Sequence, residues 1–140
     1  MKKILLIVAL ALLTVPQATG SYWKSTAAET ALMQQGGIRY HLNGRISTID
    51  HVKLVLKGKT GTLSYKMNGK RIVSNIVIDL EASTFDKDGI GHIELKSYTP
   101  QGKLKGRFIG DSDFAECGYL YVGKFVNVNG SSTEFLFTEL

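Results

Sequence analysis

The fold is decided by His51-Val-Lys-Leu-Val-Leu-Lys-Gly-Lys-Thr60 and, directly after it, Gly61-Thr-Leu-Ser-Tyr-Lys-Met-Asn-Gly-Lys-Arg71. Val52, Leu54 and Leu56 alternate with His51, Lys53, Val55 and Lys57; Leu63, Tyr65 and Met67 then alternate with Thr62, Ser64 and Lys66. Successive side chains of a strand point to opposite faces, so each run offers one face to a core and one to water. Gly58-Lys59 separates the two runs, and Asn68-Gly69 ends the second with the residues that accept the positive φ of a two-residue hairpin.

The same grammar extends outward. Ile76, Ile78 and Leu80 oppose Val77, Asp79 and Glu81; Ile93 and Leu95 oppose His92, Glu94 and Lys96; Leu104, Gly106 and Phe108 oppose Lys103, Lys105 and Arg107. Asp86-Lys-Asp-Gly89 and Pro100-Gln-Gly102 suit slightly longer hairpin loops, and Asn129-Gly130 reads as another two-residue turn. The candidate strands are 38–43, 51–57, 60–67, 71–81, 89–98, 103–110, 117–128 and 132–138. This predicts an all-β domain of about eight antiparallel strands in an up-and-down meander. A small closed or nearly closed barrel and a two-sheet sandwich both fit. The barrel is favoured, because the connections are uniformly short and closure removes exposed strand edges. Gly91, Gly106, Gly110, Gly118 and Gly123 lie in or beside strands, where a strongly curved sheet needs bends.

The N-terminal segment reads differently. Lys2 and Lys3 precede an unbroken apolar run, Ile4 to Leu13, and a more polar stretch with Pro16 leads to Ala18 and Gly20. That is the layout of a secretory signal cleaved before Ser21. The run is about half the ~20 apolar residues that a membrane span requires. Thr26-Ala-Ala-Glu29 fits a capping box, and Gly36-Gly37 supplies a stop, which predicts one short N-terminal helix. The expected organisation is a cleaved signal peptide at 1–20, an arm with a short helix at 21–37 and a single β domain at 38–140. The 140-residue chain carries a formal charge of +5. After loss of Lys2 and Lys3, 15 basic residues remain against 12 acidic ones, a formal +3. A charge of that size keeps a small domain in solution and does not by itself argue for nucleic acid. Cys117 is the sole cysteine, so no internal disulfide is possible, and none lies at the cleavage site to take a lipid anchor. The localisation expected is periplasmic or extracellular, with no membrane span after cleavage.

Three segments, Tyr40-His-Leu-Asn-Gly-Arg45, Gly102-Lys-Leu-Lys-Gly-Arg-Phe-Ile-Gly110, and Gly123-Lys-Phe-Val-Asn-Val-Asn-Gly130 followed by Glu134-Phe-Leu-Phe137, share a further pattern. A strand of the form G-x-x-x-G-x-F precedes a glycine- and asparagine-rich hairpin near the C-terminus. In this the stretch from Tyr40 to Leu140 resembles small exported β-barrel-like proteins of Bacteroidetes, a family without assigned activity. The resemblance implies a small barrel and an envelope or secreted location. It implies no catalytic residues.

Candidate chemistry is sparse. Gly58-Lys59-Thr60 lacks the upstream glycine of a phosphate-binding loop, since position 53 is Lys. Asp86-Lys-Asp-Gly89 opens like a calcium loop, but the twelfth position holds Ser97 where a bidentate Glu is required. His92 and Glu94 share a strand face and can offer two metal ligands or an acid/base pair, yet such a pair is more often simply solvated. Asp111, Asp113 and Glu116 read as ordinary residues of a loop after Gly110. Cys117 reads as a small buried apolar residue with no local base. Lys53, Lys57, Lys59, Lys66, Lys70 and Arg71 form a basic run over two strands that can meet an anionic surface, or serve as a guard against aggregation. Nucleic acid is not expected, for lack of aromatic platforms among the lysines. No metal site, cofactor or catalytic set is expected, so the chain reads as a non-enzyme.

The aromatic residues divide. Phe85, Phe108, Phe114, Phe125, Phe135 and Phe137 are candidate core. Tyr40, Tyr65, Tyr98, Tyr119 and Tyr121 are the candidate ligand-binding set, with Trp23 beside them. A barrel of about eight strands holds either side chains or one small ligand. The functional expectation is a binding protein that takes a small ligand or glycan at the barrel mouth. The alternative is a protein-binding accessory or inhibitor module acting on an envelope protein.

Overall fold

Strands form wherever the alternation of period two runs. A computed structural model describes residues 39–116 and 118–139. They are β1 (Arg39–Ile46), β2 (Ile49–Lys57), β3 (Thr60–Met67), β4 (Lys70–Ile78), β5 (Thr84–Phe85), β6 (Gly91–Tyr98), β7 (Leu104–Ala115), β8 (Gly118–Asn127) and β9 (Ser132–Glu139). All pairings are antiparallel. β1 to β4 pair in sequence, β4 pairs with β6, β6 to β9 pair in sequence, and β9 returns to β1. Eight strands therefore close into a barrel, and the sandwich does not form. The two-residue β5 adds to the start of β6, with Thr84 opposite His92 and Phe85 opposite Gly91. The expected signal peptide, N-terminal helix, Trp23 and Cys117 lie outside the described residues.

The buried face is the predicted one. Leu42, Val52, Leu54, Ile76, Ile93, Leu95, Phe108, Tyr119, Tyr121 and Phe137 are all essentially inaccessible. The Phe108 ring lies 4.7 Å from that of Phe125, 5.1 Å from Phe135 and 6.1 Å from Phe137, so aromatic rings fill the middle of the barrel. Gly110 and Gly123 face each other across β7 and β8. A Cβ on Gly110 would meet the Val122 carbonyl oxygen and, at 2.8 Å, the Phe135 ring. The absent side chains thus make the room that the phenylalanines occupy.

Four sequence expectations change. The strand expected over 71–81 stops at Ile78, because Ser83 Oγ donates to the Asp79 carbonyl and the Asp79 carboxylate accepts the Ala82 N–H, which turns the chain. The strand expected over 103–110 continues to Ala115, so Asp111 and Asp113 stand on β7 rather than in a loop. Asn129-Gly130 is part of a longer loop: Gly130 N–H donates to Asn127 O and Asn127 N–H to Ser131 O. The same paired bonds close Thr99–Lys103 and Asp86–Ile90, each with a positive-φ glycine next to last. Only Asn68-Gly69 forms the expected turn with both φ positive, 52° and 77°. Phe114, placed in the core from sequence, is 56% exposed.

The two barrel ends differ. One carries the hairpins β1–β2, β3–β4, β6–β7 and β8–β9 and is called the hairpin end. The other carries β2–β3, β7–β8 and the passage from Asp79 to Ile90.

Candidate binding site at the hairpin end

The five tyrosines do not converge. Tyr40 and Tyr119 stack at the end away from the hairpins, with ring centroids 3.9 Å apart and planes 13° from parallel. There they fasten the 86–90 loop across the opening. Tyr40 OH donates to Asp88 O, while Tyr119 OH (2.7 Å) and Ser112 Oγ (2.6 Å) both donate to Gly89 O. Tyr121, deeper inside, donates to Ile93 O at 2.7 Å. Burial drives the hydroxyl pKa of Tyr119 up, and that of Tyr121 well above the ordinary tyrosine value. Both hydroxyls stay neutral donors committed to the backbone. Tyr98 follows buried Ser97 on β6 and pairs with Asn75 on β4. Tyr65 lines an open hollow.

That hollow, about 460 Å³, lies where the start of β2 meets the end of β3 and the start of β4. Tyr65 forms part of its wall with the cations Lys53, Lys66 and Arg71. Asp50, His51 and Ser64 supply the remaining polar groups. The basic run seen in the sequence is thereby divided: Lys53, Lys66 and Arg71 alternate with the inward-facing residues of their strands and line this hollow from the outer face of the barrel, and Lys57 does not line it.

Two register shifts interrupt the strand ladders, and both fall at the hairpin end. Between β1 and β2, Gly44 pairs with Val52 but Ile46 pairs with Ile49, so Arg45 faces both Asp50 and His51. His51 takes φ 57°, a conformation costly for a residue with a side chain. Between β6 and β7, Ser97 pairs with Gly106 but Tyr98 pairs with Leu104, which leaves Lys105 as the extra residue. An extra residue re-aims the side chains around it, and such bulges concentrate beside binding sites. One shift lies at Asp50 and His51. The other lets Lys105 reach inward: its Nζ donates to buried Ser74 at 3.1 Å and lies 5.9 Å from the centre of the Tyr65 ring. Burial lowers the Lys105 pKa and raises that of Tyr65.

Lys105, Ser74 and Ser97 were not legible as site residues. Strict alternation through Lys103, Lys105 and Arg107 places Lys105 on the wet face, and only the extra residue reverses it. The sequence hint is Gly106, next to the bulge.

His92 and Glu94 do meet, with Nε2 2.8 Å from Glu94 Oε2, but the other nitrogen, Nδ1, lies 3.1 Å from Asp111 Oδ1. The imidazole therefore separates two carboxylates. Among the described residues no group of three or more His, Cys, Asp or Glu is arranged to hold a metal ion. Arg107 extends the row, with Nη2 2.6 Å from Asp79 and 3.0 Å from Glu94. Burial pushes the Asp79 pKa up, but the bonds from Arg107 and the Ala82 amide, with the charges of Lys96 and Arg107, outweigh it and hold the carboxyl below its ordinary value. This wall of the barrel is a closed set of mutual partners.

The chain matches no protein-family model, no curated protein and no solved structure.

Proposed function

We propose that the protein is an exported, non-enzymatic β-barrel that binds a small ligand or glycan at its hairpin-end mouth, around Tyr65. The observation that carries the reading is Tyr65, packed against the core at the hairpin end, with the Lys105 Nζ 5.9 Å from the centre of its ring and bonded to Ser74. Small-molecule sites combine an apolar surface with a few placed polar groups, and this is such a combination. The rest of the barrel supports the location. Its middle is filled by aromatic rings, and its opposite opening is crossed by the 86–90 loop. The non-enzymatic part of the reading is supported by His92, whose two ring nitrogens both face carboxylates and leave no nitrogen to act as a base.

The test is a screen of the secreted protein on immobilised glycans, with Tyr65→Ala and Tyr40→Ala compared. Binding that Tyr65→Ala removes and Tyr40→Ala retains supports the mouth. Binding indifferent to Tyr65→Ala, or no binding to any glycan or small-molecule panel, contradicts it. A second reading, a protein-binding accessory or inhibitor module, draws on Met67, Leu104 and Val128, apolar residues left exposed at the same end. Co-purification of an envelope protein that Val128→Asp abolishes would favour it.

A further inference from the structure

Charge on this barrel is sorted along its axis. No Asp or Glu occurs between Asp50 and Asp79, between Glu94 and Asp111, or between Glu116 and Glu134. These stretches contain the β3–β4, β6–β7 and β8–β9 hairpins, all at the hairpin end. Among the described residues, the carboxylates of that end are Asp50 on β2 and Glu134 on β9. Asp86, Asp88, Asp113 and Glu116 stand at the opposite end, in the 79–90 passage and where β7 leads to β8. On the wall between the ends, Lys96 and Arg107 have carboxylates within ion-pair distance. Lys66, Lys70, Arg71 and Lys103, at the hairpin end, are exposed and have none among the described residues.

The same three hairpins expose apolar side chains at their tips. Met67 is the last residue of β3, Leu104 the first of β7, and Val128 follows the end of β8; they are 43%, 38% and 64% exposed. Val128 N–H donates to Lys105 O, which holds the β8–β9 tip beside the β6–β7 hairpin. Met67 pairs with Lys70 across its turn, and Lys103 precedes Leu104 in the chain. Apolar side chains ringed by cations suit the boundary of an anionic bilayer, where the apolar groups enter and the lysine stems carry their ammonium groups back to the phosphates. An acidic polysaccharide would neutralise the cations but leave the three tips in water. A nucleic acid would call for stacking rings, and these tips carry none.

We propose that the hairpin end docks on the surface of an anionic lipid bilayer, with Met67, Leu104 and Val128 entering the boundary between headgroups and acyl chains and Lys66, Lys70, Arg71 and Lys103 held by lipid phosphates. The barrel lies on the membrane and does not cross it. A crossing barrel needs an apolar outer band, whereas this wall carries Lys53 and Lys57 on β2 and the Asp79, Glu94 and Arg107 cluster beside β6 and β7. The acidic end is repelled by the same lipids, so the barrel meets the surface in one orientation. The inference goes beyond the ligand reading and is independent of it, since it uses the hairpin tips and no cavity.

The test is co-sedimentation of the purified protein with phosphatidylcholine vesicles and with vesicles of phosphatidylcholine and phosphatidylglycerol in equal parts. Partition to the anionic vesicles is expected to be at least about tenfold stronger, and to fall as salt is raised. Lys70→Glu combined with Lys103→Glu should lower it at least about tenfold. Met67→Ser, Leu104→Ser and Val128→Ser together should lower it about tenfold, while Phe114→Ser, which removes an exposed ring at the opposite end, leaves it unchanged. Val128→Ser alone, in a loop where no fold is at risk, should lower it in the same direction. Equal partition to the two vesicles, or partition to neither, overturns the proposal. Partition that the triple variant and Val128→Ser both leave intact overturns the entry of the tips. A loss for Phe114→Ser as large as for the triple variant overturns the orientation. Absence of vesicle binding together with an envelope protein that Val128→Asp releases would overturn the proposal in favour of a protein partner at this end.

Discussion

Phe108→Ala measures how completely the barrel interior is filled, on which the placing of the ligand at the mouth depends. Phe108 is fully buried, pairs across the ladder with Leu95 and touches three other aromatic rings. Truncating a buried phenylalanine costs about 3–5 kcal/mol through lost transfer energy and the cavity left behind. Each well-placed aromatic pair adds about 0.5–1.5 kcal/mol beyond area. The upper half of that range is therefore expected, and a domain of this size should melt roughly 15 °C lower or more. Phe114→Ala is the control: it removes the same atoms from a ring 56% exposed, and should cost at most about 1 kcal/mol. Urea denaturation followed by far-UV circular dichroism gives both values, with the slope of free energy against urea unchanged. Equal losses for the two variants, or a loss below about 1 kcal/mol for Phe108→Ala, would refute the packed interior.

Three further outcomes follow from the structure. The His92 pKa is raised by its bonds to Glu94 and Asp111 against the lowering effect of burial, so the folded protein holds that proton more tightly than the unfolded chain does. Its stabilisation is complete below the unfolded value of about 6.5 and lost as pH rises through the raised folded value; urea midpoints between about pH 5 and 9 should show this decline, and His92→Gln should flatten it. His51→Gly should leave stability unchanged or higher, because glycine accepts φ 57° without strain, whereas His51→Val should cost about 1–2 kcal/mol; thermal melts that rank them the other way contradict the register shift at β2. Gly123→Ala places a Cβ against Ile109 O and 2.5 Å from Gly110 Cα, and should destabilise by about 1–3 kcal/mol in the same assay, while wild-type stability would contradict the close approach of β7 and β8.

The barrel was largely legible because its signal is local. Val52, Leu54 and Leu56 alternate without interruption, and all three are buried as expected. Asn68-Gly69 encodes its own turn. Closure is a long-range fact, the pairing of Phe135 with Ile46 and of Ile76 with Ser97, and sequence offered only the indirect argument of short loops. The site was less legible for a related reason. Tyr40, Tyr65, Tyr119 and Tyr121 are the same residue type in the same kind of strand, and only strand direction and stagger separate the lid-holding pair from the one at the mouth. Lys105 was hidden more deeply, because one extra residue reverses the face to which alternation assigns it. The cation cluster was visible as a run along the chain, but which lysines converge depends on the register between β2, β3 and β4.

The central claim, a ligand site at the hairpin-end mouth, is tested most directly by amide chemical-shift mapping of the purified protein against the strongest binder from the glycan screen. The account predicts perturbations at Tyr65, Ser74, Ser97 and Lys105, with Gly89 and Tyr119 unmoved. Perturbations centred on Tyr40, Gly89 and Tyr119 would contradict it, since they would place the ligand at the end that the 86–90 loop crosses.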